Sequence, residues 1–412
     1  MKKNIIFIFL TFSISLFSQQ TYSDLPECAK AELNQIKIPS DSSFLKQFFM
    51  KLDSVKTNKK GRINVLHIGG SHVQADMYTH VIRQRIDDWV EEQRSARGLI
   101  FPYSAAKTNN PYNYITTFGG EWKSARNSVR QFDIEQGMTG ILIHTSDVSS
   151  WINIELNRDS SDRYLTNRVF LLGRSMRGNF EPVLSLANDK KVEPKINDRG
   201  FVFELDTLVS SFKIMLKQKN PFVFEQDTFV VTGIIPENDA FGVVYHTIGV
   251  NGASVPSYLN CVDFEQDLHL IKPDLAVFAI GINDAMDRHF SDSVFCANYD
   301  SLLTKIRRVN PNCAFVFITN NDSYKKIRRK RKRIYVVNRN GIVAQQSFYS
   351  LAKKWNGGVY DLFEIMGGLS SMSKWQQKGL ARPDKIHFSR KGYELIGTMY
   401  SDAFLKLYHE MK

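Results

Sequence analysis

Apolar and polar positions follow two different textures along this chain. Residues 63–68, "INVLHI", are a nearly unbroken apolar run, the pattern of a strand buried on both faces. From Ala75 to about Arg94 the apolar positions Met77, Val81, Ile82, Ile86, Trp89 and Val90 recur at helical spacing, which predicts a helix directly after that strand. The pairing returns late in the chain. "DLAVFAIG" (274–281) and "CAFVFIT" (313–319) read as strands, and "YDSLLTKIRRV" and "GIVAQQSFYSLAKKW" as the helices that follow them. A short strand, "GVYDL", and a helix from about Arg390 to His409 complete the series. Such alternation predicts an α/β unit with a parallel sheet covered on both faces.

Between about Tyr114 and Phe241 the pattern changes. "GILIHT", "WINIELN", "RVFLLG", "FVFELD", "FKIMLK" and "TFVVTGII" are short apolar stretches set apart by polar, Gly, Asn and Asp turns, with hardly any helical period. This texture predicts an all-β, sandwich-like domain inserted into the α/β unit. The expected divisions are residues 1–20, a leader; 21–61, a lead-in; 62–113 and 242–412, the two parts of the α/β domain; and 114–241, the β-rich insertion.

The leader, "MKKNIIFIFLTFSISLFSQQ", has two lysines, an apolar stretch from Ile5 to Leu10 continued in mixed form to Phe17, and a polar break. It reads as a secretory signal peptide cleaved near Ser18. A membrane span needs ~20 mostly apolar residues, and Thr11, Ser13 and Ser15 interrupt this one. The expected product is periplasmic or secreted, with no transmembrane segment after cleavage. Export makes Cys28, Cys261, Cys296 and Cys313 candidates for disulfides, with buried free thiols as the alternative. Their spacings do not resemble a zinc site, and neither HExxH nor CxxC occurs, so no metal or cofactor is expected.

A formal charge of +12 changes meaning in an exported protein. It points to anionic envelope polymers rather than nucleic acid. Residues 325–333, "KKIRRKRKR", concentrate eight basic residues in nine positions with no aromatic between them, unlike a base-stacking surface. This run from Lys325 to Arg333 is either a solvated loop or an electrostatic guide for an acidic polymer.

In an open parallel sheet, ligands bind beyond the carboxyl ends of the strands. Three candidate groups fall there. Ser71 follows the strand at 63–68, Gly252 in "HTIGVNGAS" follows "GVVYHTI", and Asn283 in "IGINDA" follows "DLAVFAI". "RPDKIHFSRKGYELIG" adds Asp384 and His387, three apart, just before the last helix. Taken singly, Ser71 is a helix cap, Gly252 a turn glycine, Asn283 with Asp284 a loop or cap pair, and His387 with Asp384 a surface hydrogen bond. Taken together, one serine, one histidine with a nearby aspartate, and two donors are the groups that acyl transfer requires.

Four blocks in this order resemble the SGNH (GDSL-type) hydrolase superfamily. "GGSH" (69–72) is similar to its first block, "VNGAS" to the block whose glycine donates a backbone N–H, "GIND" to Gly-x-Asn-Asp and "DKIH" to Asp-x-x-His. The stretch beginning "YDLFEIMGG" and ending "KGYELIG" looks closer still to bacterial envelope members, including peptidoglycan O-acetylesterases. Some of these carry a β-rich, carbohydrate-binding-like domain inserted after the first block. The resemblance implies a three-layer α/β/α fold and a nucleophile at Ser71, with His387 as its base and Asp384 orienting the imidazole. It further implies an oxyanion hole from the N–H groups of Ser71 and Gly252 and the amide of Asn283. His67 and His72 are read as packing or supporting groups. Gly70 stands where the family usually has Asp, a position outside the triad. The implied function is a secreted serine esterase acting on an O-acetylated envelope glycan, peptidoglycan foremost. An O-acetyltransferase using the same acyl-enzyme is the second reading, and a noncatalytic glycan-binding protein is the third.

Overall fold

The computed structural model describes residues 22–90, 95–129, 134–158, 163–222, 227–329 and 332–412. The leader lies outside them, so the signal-peptide expectation concerns residues that the structure does not describe. Among the described residues, no helix is long and apolar enough to cross a membrane.

The apolar runs assemble into one six-stranded sheet. Its order is Ile36–Lys37, Gly358–Tyr360, Ala314–Ile318, Leu275–Ala279, Arg62–Gly69 and Gly242–Gly249, parallel except for the antiparallel edge strand at Ile36–Lys37. Successive side chains of a strand point to opposite faces, and the buried residues divide accordingly. Leu66, Ile68, Phe278, Phe315 and Phe317 belong to one apolar cluster, with the helices Asp292–Val309 and Asn340–Trp355. Ile63, Val65, Val277 and Val316 belong to another, with the helices Ser43–Asn58, Tyr78–Trp89 and Arg390–Glu410. The lead-in is thus part of this unit. It supplies the edge strand and a helix whose Leu45, Phe48, Phe49, Leu52 and Val55 are buried.

The described residues of 115–237 contain eleven strands in two antiparallel sheets. One runs in the order Lys195–Asn197, Gly200–Val209, Thr166–Ser175, Phe229–Glu237, Ile141–Thr145, Lys123–Arg126. The other runs Ile115–Gly119, Trp151–Glu155, Ser211–Gln218, Phe180–Ser185, Lys191–Val192. Their buried residues are continuous with the first cluster of the parallel sheet: Ile143, Ile154, Phe203, Phe212 and Phe229 join Phe278 and Tyr258 in it. Polar contacts follow the same seam. Arg199 Nε donates to Asp267 Oδ1 at 3.0 Å, Met138 N to Asp267 Oδ2 at 2.9 Å, and the Asp263 N–H to the Gln136 carbonyl at 3.2 Å. Gly137 is required here, because a Cβ would stand 2.2 Å from Asp267 Oδ2.

Two local expectations are corrected. The helix expected over 75–94 is two helices, Ser71–Gln74 and Tyr78–Trp89, and residues 91–94 lie outside the described ones. The break is at Asp76, which takes a left-handed φ of +49°. That turn aims its carboxylate at Arg83, Arg97 and the Thr79 hydroxyl, all buried. The described residues of the basic run, open to reading as a solvated loop, lie in two paired antiparallel strands, Tyr324–Arg329 and Lys332–Val337. Tyr324 and Ile327 among the charges, and Ile334 and Tyr335 after them, supply strand-forming residues that the charge count obscures.

Candidate active site

The strand Arg62–Gly69 delivers Ser71 to the carboxyl edge of the parallel sheet. Gly69 makes the turn possible, since a Cβ there would meet Val73 Cγ2 at 2.2 Å. Gly70 is different. It has an ordinary φ of −102°, and a Cβ would find its nearest neighbour, Asn283 Nδ2, at 3.5 Å. Neither sterics nor backbone conformation demands glycine where the resembling family has Asp. Ser71 itself is the first residue of the helix Ser71–Gln74, with Gly70 in the cap position and no side-chain cap bond. Its N–H therefore lacks an intrahelical acceptor.

The serine hydroxyl faces the last loop of the chain instead. Ser71 Oγ lies 2.8 Å from His387 Nε2, and His387 Nδ1 lies 2.9 Å from Asp384 Oδ2. The other carboxylate oxygen, Asp384 Oδ1, accepts the N–H groups of Ile386 and His387, each at 2.9 Å. Burial acts to raise the Asp384 pKa, but the bonds from the His387 ring and these two N–H groups outweigh it and hold the carboxyl well below its usual range. Asp384 thus stays an acceptor, which fixes the imidazole with its proton on Nδ1 and its lone pair on Nε2, toward the serine.

Gly252 and Asn283 share the cleft with Ser71 and His387, in a cavity of about 610 Å³. Gly252 has a φ of +82°, in the turn after strand Gly242–Gly249, and this left-handed geometry favours glycine. Asn283 Nδ2 donates to the Ala253 carbonyl at 2.8 Å, which fixes the amide and leaves its second N–H available. All five residues singled out in the sequence are brought together at one sheet edge.

The two neighbouring histidines do not enter the cleft chemistry. His67 is fully buried between the hydroxyls of Tyr245 and Tyr78, each at 2.8 Å, and His72 Nδ1 lies 2.7 Å from the Tyr393 hydroxyl. Burial, foremost, lowers both to about 3, so both are neutral at ordinary pH.

Supporting residues were missed by sequence reasoning. Gln74 Oε1 accepts the Asn251 N–H at 2.8 Å while its Nε2 reaches the Asn109 carbonyl at 3.2 Å, binding three segments of the cleft wall. Its place three after Ser71 fits a capping-box spacing, but no such box forms. Asp284 accepts the Val255 N–H at 3.2 Å and so ties the Asn283 turn to the helix after Gly252. Burial pushes its carboxyl up to about 6. Among the described residues, no group of three or more His, Cys, Asp and Glu could hold a metal ion. All four cysteines are free thiols, which settles the choice left open by the sequence; burial pushes Cys261 up to about 12.

Comparison with known proteins follows this geometry. Residues 236–395 match the GDSL-like lipase/acylhydrolase family, a span that holds Gly252, Asn283, Asp384 and His387 but not Ser71. Across the whole chain, the fold is similar to that of a peptidoglycan O-acetylesterase, with a TM-score of 0.72 and 22% identity over 91% of this chain and 99% of that one. A putative GDSL-like lipase from Parabacteroides merdae aligns at a TM-score of 0.32, with 16% identity over 39% of this chain and 72% of the other. A lipase/acylhydrolase from Enterococcus faecalis aligns at 0.29, with 22% identity over 42% and 78%. No curated protein sequence matches the chain. The chain thus has a mixed α/β fold, similar along most of its length to that of a peptidoglycan O-acetylesterase, and carries over 236–395 a segment that matches the GDSL-like lipases and acylhydrolases.

Proposed function

We propose that the protein is an exported esterase that removes O-acetyl groups from an envelope glycan, peptidoglycan in particular, through a Ser71–His387–Asp384 triad. The observation that carries this reading is the unbroken hydrogen-bonded line from Asp384 through His387 to Ser71 Oγ. Ser71 Oγ attacks the acetyl carbonyl as His387 Nε2 takes its proton, forming the Oγ–C bond and an oxyanion. The N–H groups of Ser71 and Gly252 and the free N–H of Asn283 receive that charge. Return of the proton from His387 to the sugar oxygen breaks the ester bond and leaves an acetyl-serine, which water then hydrolyses by the same route in reverse.

The choice of glycan rests on the whole-length likeness to a peptidoglycan O-acetylesterase. Within this reading the parallel sheet and its helices form a three-layer α/β/α hydrolase domain, and the strands of 115–237 form an inserted, carbohydrate-binding β domain. The leader directs the protein to the periplasm or beyond. The test is acetate release from O-acetylated peptidoglycan by the intact protein and by Ser71→Ala. Acetate that appears only with Ser71 present supports the esterase. Acetyl groups appearing on an added sugar acceptor would make it a transferase, and glycan binding without any ester cleavage would make it a binding protein.

A further inference from the structure

The hairpin 324–337 places the basic run beside the catalytic loop. Tyr324 N donates to the Lys385 carbonyl at 3.1 Å, Asn338 Nδ2 to the Ala285 carbonyl at 3.1 Å, and Lys325 Nζ to the Asp287 carbonyl at 3.4 Å. Its root is therefore bonded to both segments that flank the cleft, 285–287 and 385–387. In the strand register, Lys326 pairs with Tyr335 and Arg328 with Arg333, so these four side chains and Tyr324 share one face. Lys385 Nζ sits 4.8 Å over the Tyr324 ring and 6.0 Å from that of Tyr335, which turns this face toward the loop carrying Asp384 and His387. Arg382, in the same loop, lines the cleft itself.

This arrangement is costly without a ligand. Like charges directly opposite one another destabilise an antiparallel pair, and an isolated two-stranded hairpin is marginal in water. Arg328 nevertheless stands opposite Arg333 at the exposed end. Some exposed cations elsewhere do have acidic partners, as Arg308 has Glu265 and Lys354 has Asp300. Among the described residues, Lys326, Arg328, Lys332 and Arg333 have no ion pair. Tyr335 and Ile327 are each 40% exposed between these charges.

We infer that the Lys326, Arg328, Arg333 and Tyr335 face of this hairpin is a docking rail for the carboxylate-bearing peptide stems of the glycan substrate, leading past Lys385 and Arg382 to Ser71. The inference rests on the esterase reading for its substrate and goes beyond it by assigning how the polymer is held. Cations attract the carboxylates, Tyr335 gives a sugar or peptide an apolar contact, and Arg382 carries the same sign of charge into the cleft.

The test compares two variants of equal charge change on opposite faces, Arg328→Gln/Arg333→Gln and Lys325→Gln/Lys332→Gln. The first should raise KM for O-acetylated peptidoglycan roughly 5- to 10-fold at low salt, leave hydrolysis of p-nitrophenyl acetate unchanged, and not lower the melting temperature. The second should do less. Carbodiimide amidation of the peptidoglycan carboxyls should cost the intact protein the same factor, as should raised salt. Unchanged KM in the first variant, equal effects from both, or equal loss on p-nitrophenyl acetate would each overturn the rail. Cosedimentation of Ser71→Ala protein with peptidoglycan sacculi reads docking without catalysis, so it tests the rail even if no ester is cleaved. Binding to anionic phospholipid vesicles but not to sacculi would assign the face to a membrane and also overturn it.

Discussion

Ser71 and His387, 316 residues apart in the chain, meet at 2.8 Å between Oγ and Nε2, and the histidine is held for that meeting by Asp384 on its other nitrogen. Replacement of Asp384 by Asn keeps the shape but offers the His387 ring an N–H where it needs an acceptor. Asp384→Asn is expected to lower kcat by about 10⁴-fold at unchanged stability. Steady-state kinetics on a small acetyl ester, with a melting curve beside them, decide it; a loss under tenfold would remove Asp384 from the triad.

Asn283 is expected to act on charge that exists only in the transition state. Asn283→Ala should reduce kcat by about 10²- to 10³-fold with little change in KM. A rise in KM alone would mean that the amide holds substrate rather than the oxyanion.

The two adjacent glycines should respond differently to one methyl group. At Gly69 the added carbon would overlap Val73, whereas at Gly70 it reaches only ordinary contact. Gly69→Ala is expected to destabilise the fold and abolish activity, and Gly70→Ala to keep both within a few fold. An inactive but fully stable Gly70→Ala would show that the turn tolerates less than its spacing suggests.

The buried carboxylate of Asp76 holds Arg83 and Arg97 at once, and those arginines keep it ionised against its burial. Asp76→Asn leaves two buried guanidiniums without their counter-charge. A loss of roughly 3–5 kcal/mol in unfolding free energy is expected, measured by urea denaturation. A loss below 1 kcal/mol would mean that water or another group already screens the pair.

Asp87 gives a pH signature. Burial pushes its carboxyl up to about 7, against the opposing Ser95 hydroxyl bond and Arg83. The folded state then binds a proton more tightly than the unfolded chain does, so this group's contribution to stability is intact below about pH 4 and is lost as pH rises toward 7. Asp87→Asn should therefore be most beneficial near pH 7 and nearly neutral near pH 4. Melting temperatures across that range check it, and parallel curves for the two proteins would refute it.

The sequence disclosed the cleft better than its supports. Ser71, Gly252, Asn283, Asp384 and His387 each follow or precede an element with a strong apolar period, so their positions could be read from chain order alone. Gln74 and Asp284 act across the sheet edge on Asn251 and Val255, remote in sequence, and nothing local distinguishes their side chains from ordinary polar surface. The helix break at Asp76 was hidden because Met77 and Val81 keep the apolar period through it. The hairpin was masked by charge, since eight cations in nine positions leave little apolar signal. Ser71 illustrates the same limit from the other side: the family match spans 236–395, and only the folded geometry joins the serine to it.

The apolar cluster that runs without interruption from Phe278 and Tyr258 to Phe212 and Phe229 makes the antiparallel sheets and one face of the parallel sheet thermodynamic partners. A chain cut back to its α/β residues would face water with side chains that now touch strands of 115–237, and the removed strands would do the same. The two architectures should therefore melt in a single cooperative transition, with calorimetric and van't Hoff enthalpies in agreement.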